Sequence, residues 1–164
     1  MLCDINLVKD KLCKLDKDDI KKEISKKPKL RLFKQICEVE SSERYVKLNI
    51  SSSERSLLAQ LRMGILPLRI ETGRFSNLKI NERLCQMCKT GEVEDEIHFL
   101  FKCERFKECR QLYMSKFAEK IERFNEMSDQ EKISTCFTSS PRQFGKYLST
   151  IFQEHKNVQY KRDA

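Results

Sequence analysis

Thiol and imidazole side chains, which proteins use to bind zinc, are concentrated in one short window of the chain. Cys85 and Cys88 are separated by two residues, His98 follows after nine more, and Cys103 after another four. A C-x-x-C pair places two thiolates on one tight turn, each able to lie ~2.3 Å from a shared ion. Because four protein ligands fill a tetrahedron, the pattern predicts a structural zinc ion with no open position for a catalytic water.

Other interpretations of these cysteines remain open. A free cysteine also packs as a small hydrophobe, and a C-x-x-C pair can be a redox centre, although no βαβ pattern surrounds this one. Cys109 is a rival fourth ligand, and Cys103 is preferred because Cys109 is predicted to lie farther along a continuous helix. The other cysteines stand at long intervals and are interpreted, with Cys109, as packing or surface thiols: Cys3, Cys13, Cys37 and Cys136.

The segments between the ligands must hold them in place. Lys89-Thr90-Gly91 is predicted to reverse the chain, with Gly91 in a left-handed conformation. The stretch 92–96, acidic at every position except Val93, then begins a helix that contains His98, at the end where the helix dipole favours negative charge. His98 and Cys103 are five residues apart and lie roughly 140° from a shared helix face, so this helix must distort or end near Cys103.

The remainder of the chain is predicted to be mainly α-helical, since apolar residues recur at helical spacing and there are only 4 Gly and 3 Pro. The fold class is a small helical domain with an embedded CCHC zinc-knuckle-like unit, a short turn or hairpin plus a helix. The chain divides into four predicted segments: a basic helical segment (1–50), a helix with an arginine-rich connector (51–84), the zinc unit (85–103) and C-terminal helices (104–164).

Local motifs predict where individual helices begin and end. Residues 2–38 are read as helical with a break at Pro28, and residues 39–50 as a linker or extended stretch. A helix is predicted from the Ser51–Glu54 capping box to Arg62 or Met63 before Gly64, followed by irregular structure with short helical turns at 64–80. The C-terminal predictions are a long helix at 104–125, a helix from the Ser128–Glu131 capping box, and a last helix from Pro141 to about Gln159.

Composition excludes several classes of protein. No apolar run approaches the ~18 residues of a membrane-spanning helix, and the N-terminus lacks the pattern of a secretory signal. We therefore expect an intracellular location, nucleus or cytoplasm, where the eight cysteines favour metal binding over disulfides. We expect no enzymatic activity, because His155 stands alone on the last helix and is interpreted as a surface histidine without a nucleophile or carboxylate set.

Basic residues precede the zinc window, and most are arginines, whose planar guanidinium groups suit phosphate oxygens and base stacking. The predicted nucleic-acid contacts are Arg55, Arg62, Arg69, Arg74, Phe75, Lys79 and Arg83. Stacking of Phe75 on an unpaired base contributes ~1–3 kcal/mol. The alternatives are internal ion pairing, as between Arg69 and Glu71, and burial of Phe75 in the core.

The net charge of +8 is carried by the two ends of the chain. Residues 51–100 hold 7 basic and 7 acidic residues, whereas residues 1–50 and 101–164 each hold 13 basic and 9 acidic. The flanking helices are therefore predicted to supply phosphate contacts alongside the arginine stretch.

About half of the chain resembles a known family. The motifs are Ser53–Arg62, Gly64–Phe75, Glu82-Arg83-Leu84-Cys85-x-x-Cys88 and Glu94-Asp95-Glu96-x-His98-Phe99-Leu100-x-x-Cys103. They are similar to the region C-terminal to the polymerase in LINE-type (non-LTR) retrotransposon reverse transcriptases of animals, and the cysteine–histidine pattern resembles the reverse-transcriptase zinc-binding domain.

The resemblance implies that Cys85, Cys88, His98 and Cys103 carry zinc in an accessory element that holds template RNA or target DNA. The polymerase aspartate motif and an endonuclease carboxylate set are both missing from the sequence. The chain therefore looks like a detached C-terminal fragment of such a protein, or a degenerate or co-opted copy. The alternative function is a zinc-stabilised helical protein-interaction or scaffold domain that binds no nucleic acid.

Overall fold

The computed structural model describes residues 2–27, 30–36 and 44–163, and helices dominate, with no β-strand among these residues. The predicted mainly α fold with an embedded hairpin-plus-helix unit is confirmed. The α-helices of the described residues are α1 (Leu2–Lys26), α2 (Arg31–Ile36), α3 (Arg44–Lys47), α4 (Ser52–Met63), α5 (Arg69–Thr72), α6 (Lys107–Ala118), α7 (Asp129–Ser139) and α8 (Pro141–Asp163). Shorter turns are a π-helix at His98–Lys102 and 3₁₀ turns at Ile80–Glu82, Glu104–Phe106 and Phe124–Glu126.

The capping motifs begin their helices as predicted. The Ser51 hydroxyl accepts a hydrogen bond from the Glu54 amide, and the Glu54 carboxylate accepts one from the Ser51 amide, at 3.2 and 3.0 Å. Ser128 and Glu131 form the same reciprocal pair at the start of α7. Gly64 ends α4 in the left-handed conformation, with φ of 64°. These local bonds satisfy amides that the first helical turn leaves without partners.

The core lies where α8 packs against α4, α6 and α7, with α2 contacting α4 and α7. Its centre is aromatic: the rings of Phe137 and Phe144 meet edge to face at 5.1 Å, and Phe117 contacts Phe144 at 6.3 Å. Aromatic pairs of this geometry contribute about 0.5–1.5 kcal/mol beyond the burial of their area. Buried residues from Leu32 to Phe152 belong to this one hydrophobic cluster.

The predicted helix at 104–125 is shorter than expected, because α6 ends at Ala118. Arg123 has a positive φ of 55°, so the chain turns there and brings the ring of Phe124 to 5.5 Å from that of Phe117. If α6 had continued through Phe124, the rings of Phe117 and Phe124 would lie about two turns apart along the helix axis. Burial of Phe124 in the core therefore outweighs the helical periodicity of the sequence.

The N-terminal half agrees with the prediction in part. Residues 44–47 form a helical turn where a linker or extended stretch is expected, because Tyr45 is buried against Phe137 at 5.9 Å. Residues 14–27 of the N-terminal segment are mostly exposed, as a solvated helix face requires. The predicted break at Pro28 and the stretch 39–43 lie outside the described residues. Within the described residues, no helix has the length and apolar character needed to cross a membrane.

Candidate metal centre

A short hairpin positions Cys85 and Cys88. Leu84 and Val93 form an antiparallel bridge, and the Cys85 amide donates to the Glu92 carbonyl at 2.8 Å. Gly91 adopts a φ of 71°, as predicted, which lets the chain reverse without a side-chain clash. Inside the turn, the Met87 amide donates to the sulfur of Cys85 at 3.4 Å. The hairpin thus turns both cysteines toward the same side of the loop.

A π-helical turn positions His98 and Cys103. The Cys103 amide donates to the His98 carbonyl at 2.7 Å, five residues back along the chain. This i→i+5 pattern widens the turn, so that residues five apart come onto a common face. The side chain of Asp95 caps the turn by accepting from the His98 amide at 2.8 Å. The H-x₄-C spacing is therefore accommodated by the helix distortion that the sequence predicts, and the turn ends at Cys103.

The four side chains converge. Their donor atoms, three sulfurs and one imidazole nitrogen, all lie within 4.8 Å of one another. A tetrahedral zinc site separates two sulfurs by about 3.8 Å and a sulfur from a nitrogen by about 3.6 Å, from its bond lengths. The Cys85 and Cys103 sulfurs are 3.9 Å apart, and the Cys88 sulfur is 3.3 Å from His98 Nε2. These cysteines are free thiols, so the residues lie close enough to hold a metal ion.

His98 is held by a carboxylate behind it. Its Nδ1 lies 2.8 Å from Glu92 Oε2, while its Nε2 faces the cysteines. Metal-binding histidines are commonly oriented in this way, since a proton donated from one ring nitrogen to a carboxylate leaves the other nitrogen free to bind the ion. Glu92 is a supporting residue that the sequence reading treated only as part of an acidic helix start.

Hydrogen bonds between the ligand side chains shift their pKa values. The hydrogen bond between the Cys85 and Cys103 sulfurs, followed by burial, raises the pKa of Cys85 to about 12. The same hydrogen bond lowers the pKa of Cys103. Hydrogen bonding to Cys85 raises the pKa of His98 to about 9 against the opposing effect of burial. A metal cation must displace these protons, so metal binding releases protons and weakens as the pH falls.

Cys109 lies outside this cluster. It is on α6, half-buried against the hydrophobic core, and burial raises the pKa of its thiol. Cys136 is buried in the core on α7. The structure thus brings Cys103 rather than Cys109 to the other three ligands.

Comparisons of the chain with protein-family models, with curated proteins and with solved structures give no significant match. The retrotransposon resemblance stays a prediction from the motifs. The capacity of the site to hold a metal ion is therefore argued from its residue types and geometry alone.

Behind Cys85 lies a buried polar chain that the sequence reading missed. Glu94 Oε1 is 3.6 Å from the Cys85 sulfur and 3.0 Å from His155 Nε2, and Glu94 Oε2 accepts from the Arg69 amide at 2.8 Å. His155 is fully buried, so its interpretation as a surface histidine is wrong. The helical spacing does indicate burial of His155, because it lies four residues after Ile151 and three after Phe152 on the apolar face of the helix.

Two further contacts attach the metal-binding segment to neighbouring helices. The Arg31 guanidinium donates to both carboxylate oxygens of Glu96, at 2.5 and 3.0 Å. Burial raises the pKa of Glu96 against the opposing charge of Arg31. On the other side, the Tyr147 hydroxyl of α8 donates to the Leu100 carbonyl. The cluster is therefore fixed between α2 and α8.

Four of the predicted nucleic-acid contacts are buried or half-buried, and the guanidinium groups of three of them have intramolecular partners. Arg83 donates to the carbonyls of Leu78 and Ile70. Arg55 donates to the Leu48 carbonyl at 2.8 Å. Arg62 is buried, with its guanidinium 4.9 Å from the centre of the Phe33 ring. Arg69 is half-buried on α5, beside Glu94.

The other three predicted contacts face solvent. Phe75 is 84% exposed, and Arg74 and Lys79 are exposed near it in the chain. Arg74 pairs with Glu71 at 2.9 Å, across a partly exposed surface. We call Arg74, Phe75 and Lys79 the connector surface. The alternative reading, in which Phe75 packs in the core, is wrong.

Proposed function

We propose that this chain is a zinc-stapled accessory module that binds RNA or DNA. The observation that carries the proposal is the connector surface, where an aromatic ring exposed over 84% of its area stands between two basic residues. Proteins that bind single strands combine aromatic rings for base stacking with cations for phosphate.

The metal in this proposal is zinc, in a structural role. Three thiolates and one imidazole are a soft donor set that suits zinc, and the paired distances match a tetrahedron. All four positions are taken by Cys85, Cys88, His98 and Cys103. The ion would fix the hairpin on the π-turn and so set the connector surface on a rigid base. The resemblance to the post-polymerase region of non-LTR reverse transcriptases implies the same accessory role.

The test is a titration of the metal-loaded protein with a labelled single-stranded RNA and the matching DNA at low and moderate salt. We expect binding that weakens steeply with salt, because each neutralised phosphate releases counterions. Arg74→Gln combined with Lys79→Gln should lower the affinity and the salt slope, and Phe75→Leu should lower the affinity with little change in slope. A flat salt dependence, or no binding at all, would overturn the proposal.

A second candidate function is a zinc-stabilised protein-interaction domain. It is favoured by Ile80 and Leu84, which are 65% and 41% exposed and follow the connector surface in the chain. A protein partner would bury them and depend little on salt. Phe75→Leu distinguishes the two functions, since leucine preserves apolar area but removes the stacking face. Retained affinity for a protein partner, with no nucleic-acid binding in the wild type, would favour this second function.

A further inference from the structure

A groove on the helical body is lined by cations from three separate parts of the chain. Arg44 comes from α3, Lys116 and Lys120 from α6 and the residues just after it, and Arg142 and Lys146 from the first turns of α8. The groove has a volume of about 530 Å³. Among the described residues that line it, none is acidic. Positions that lie up to a hundred residues apart are thus gathered into one basic concavity.

Most of these cations are not used to hold the fold together. Lys120, Arg142 and Lys146 are exposed, and within the described part of the chain they form no ion pair. Arg44 reaches across the groove to the Thr138 carbonyl at 3.1 Å. Like charges at this density repel one another, and a bound anion relieves the repulsion. The cations of the groove differ in this respect from the arginines of residues 55–83. Several of those arginines donate to backbone carbonyls or pack on aromatic rings.

The N-terminus of α8 adds to the positive potential of the groove. Helix α8 begins at Pro141 and runs for 23 residues, so its first-turn amides carry the positive end of a long helix dipole. Ser139, Ser140 and the side chain of Gln143 line the groove at this end. Hydroxyl and amide donors beside cations are the groups that contact phosphate oxygens in nucleic-acid complexes.

We propose that this groove binds the phosphodiester backbone of a single-stranded nucleic acid and forms a second contact surface in addition to the connector surface. A single strand is favoured because Tyr113 lines the groove beside the cations, and proteins that bind single strands combine aromatic side chains with cations. The proposal rests on the nucleic-acid function proposed above, but not on the connector surface. The proposal also assigns phosphate contacts to basic residues of the C-terminal flank, residues 101–164.

The test compares two variants that each remove two lysines and one arginine. The groove variant is Lys120→Gln, Arg142→Gln and Lys146→Gln. The control is Lys21→Gln, Lys107→Gln and Arg123→Gln, which removes three exposed cations that neither line the groove nor belong to the metal-binding segment. Both are titrated with labelled single-stranded RNA, the matching single-stranded DNA and their duplex. Metal content and thermal unfolding midpoint must match the wild type. If a triple variant fails this check, Arg142→Gln alone replaces the groove variant and Lys107→Gln alone replaces the control.

We expect the groove variant to lose at least about tenfold in affinity for either single strand, and to reduce the slope of log affinity against log salt by about 2. The control should lose clearly less. Equal losses in both variants would overturn the groove as a site and leave only diffuse charge. Unchanged binding by the groove variant would overturn the groove while the connector surface stands. Absence of binding by the wild type would instead overturn the proposed function itself.

Two further outcomes test the identity of the ligand. Tighter binding of the duplex than of either strand would overturn the single-strand assignment. Displacement of the strand by poly-glutamate as readily as by poly-uridylate would show that any polyanion suffices, and would point to an acidic protein partner instead. Displacement by poly-uridylate alone supports phosphodiester recognition.

Discussion

The metal-binding unit, residues 83–106, and the helical body of α4, α6, α7 and α8 are stabilised in different ways. In the unit, the donor atoms lie close together along the chain, and the backbone is a hairpin and a π-turn with little regular structure. In the body, aromatic residues separated by tens of positions pack on one another, as Phe117 does on Phe144. In the proposed function a metal ion adds its binding energy to the unit, whereas the body depends on buried area alone.

The two regions are nevertheless joined by buried hydrogen bonds and by aromatic packing. Glu94 of the unit meets His155 of α8 inside the core, and the Leu100 carbonyl accepts from Tyr147. Phe99 packs edge to face against both Phe152 and the His155 ring. Because these contacts couple the regions, the comparison predicts a graded response: loss of metal should affect the unit first and the body through α8.

The largest expected effect comes from removing the metal or a ligand. Chelation, or Cys103→Ser, should abolish the protection of backbone amides in residues 83–106 against hydrogen exchange, while α4 and α7 stay protected. The reason is that metal-binding energy is folding energy, about 10–16 kcal/mol in isolated zinc-finger peptides. Metal content and exchange by mass spectrometry measure both consequences.

Cys109→Ser is the matched control for that experiment, since Cys109 lies on α6 outside the cluster. It should keep a full complement of metal. Full metal retention by Cys103→Ser, or metal loss from Cys109→Ser, would contradict the ligand set.

A smaller effect is expected from the polar junction between the regions. His155→Leu should lower the free energy of unfolding of the metal-loaded protein by about 1–3 kcal/mol, because the buried Glu94 carboxylate loses its partner. Glu94→Gln should cost less, since the amide keeps an acceptor for the Arg69 amide. The double variant should cost less than the sum. Denaturant unfolding measures all three, and strict additivity would show that the two side chains are not coupled.

Two arginines on the border of the unit should differ in their effects on stability and on nucleic-acid binding. Arg83→Met should lower stability by about 1–2 kcal/mol, because the Leu78 and Ile70 carbonyls lose their donor while the aliphatic stem is retained. Arg74→Met should lower stability by about 1 kcal/mol, because the Arg74 end of its ion pair is exposed but the buried Glu71 carboxylate loses one partner. In nucleic-acid titrations the order should reverse, with Arg74→Met losing more affinity. Loss of affinity from Arg83→Met alone, without destabilisation, would contradict the roles assigned here.

Features set by neighbours in the chain were the ones that the sequence could predict. The reversal at Gly91, the distortion between His98 and Cys103 and the caps at Ser51 and Ser128 each follow from residues within five positions of one another. Features set by distant neighbours were not predictable in this way. The end of α6 at Ala118 depends on where Phe124 is buried, and the basic groove exists only because α3, α6 and α8 meet.

The stability of the two regions should depend on pH in opposite directions: acid should weaken the unit, and alkali should weaken the body. This is the smallest of the expected effects. The thiols of the unit must be deprotonated to hold metal, so acid should release the ion and weaken the unit. In the body, burial raises the pKa of Cys136 from 9.0 to about 12. A raised folded-state pKa means that its contribution to stability is intact below pH 9.0 and is lost as the pH rises toward 12.

Raising the pH from about 8 to about 10 should therefore lower the free energy of unfolding by roughly 1 kcal/mol through this thiol alone. Cys136→Ala should have lower stability overall, from the lost volume, but a shallower decline over that range. The measurement is the slope of the free energy of unfolding against pH for the wild type and Cys136→Ala, both metal-loaded. The cavity left by the substitution lowers stability by the same amount at every pH and so does not change the slope. Identical slopes would mean that the Cys136 thiol ionises as readily in the folded body as in the unfolded chain, and that its burial does not govern the alkaline limit.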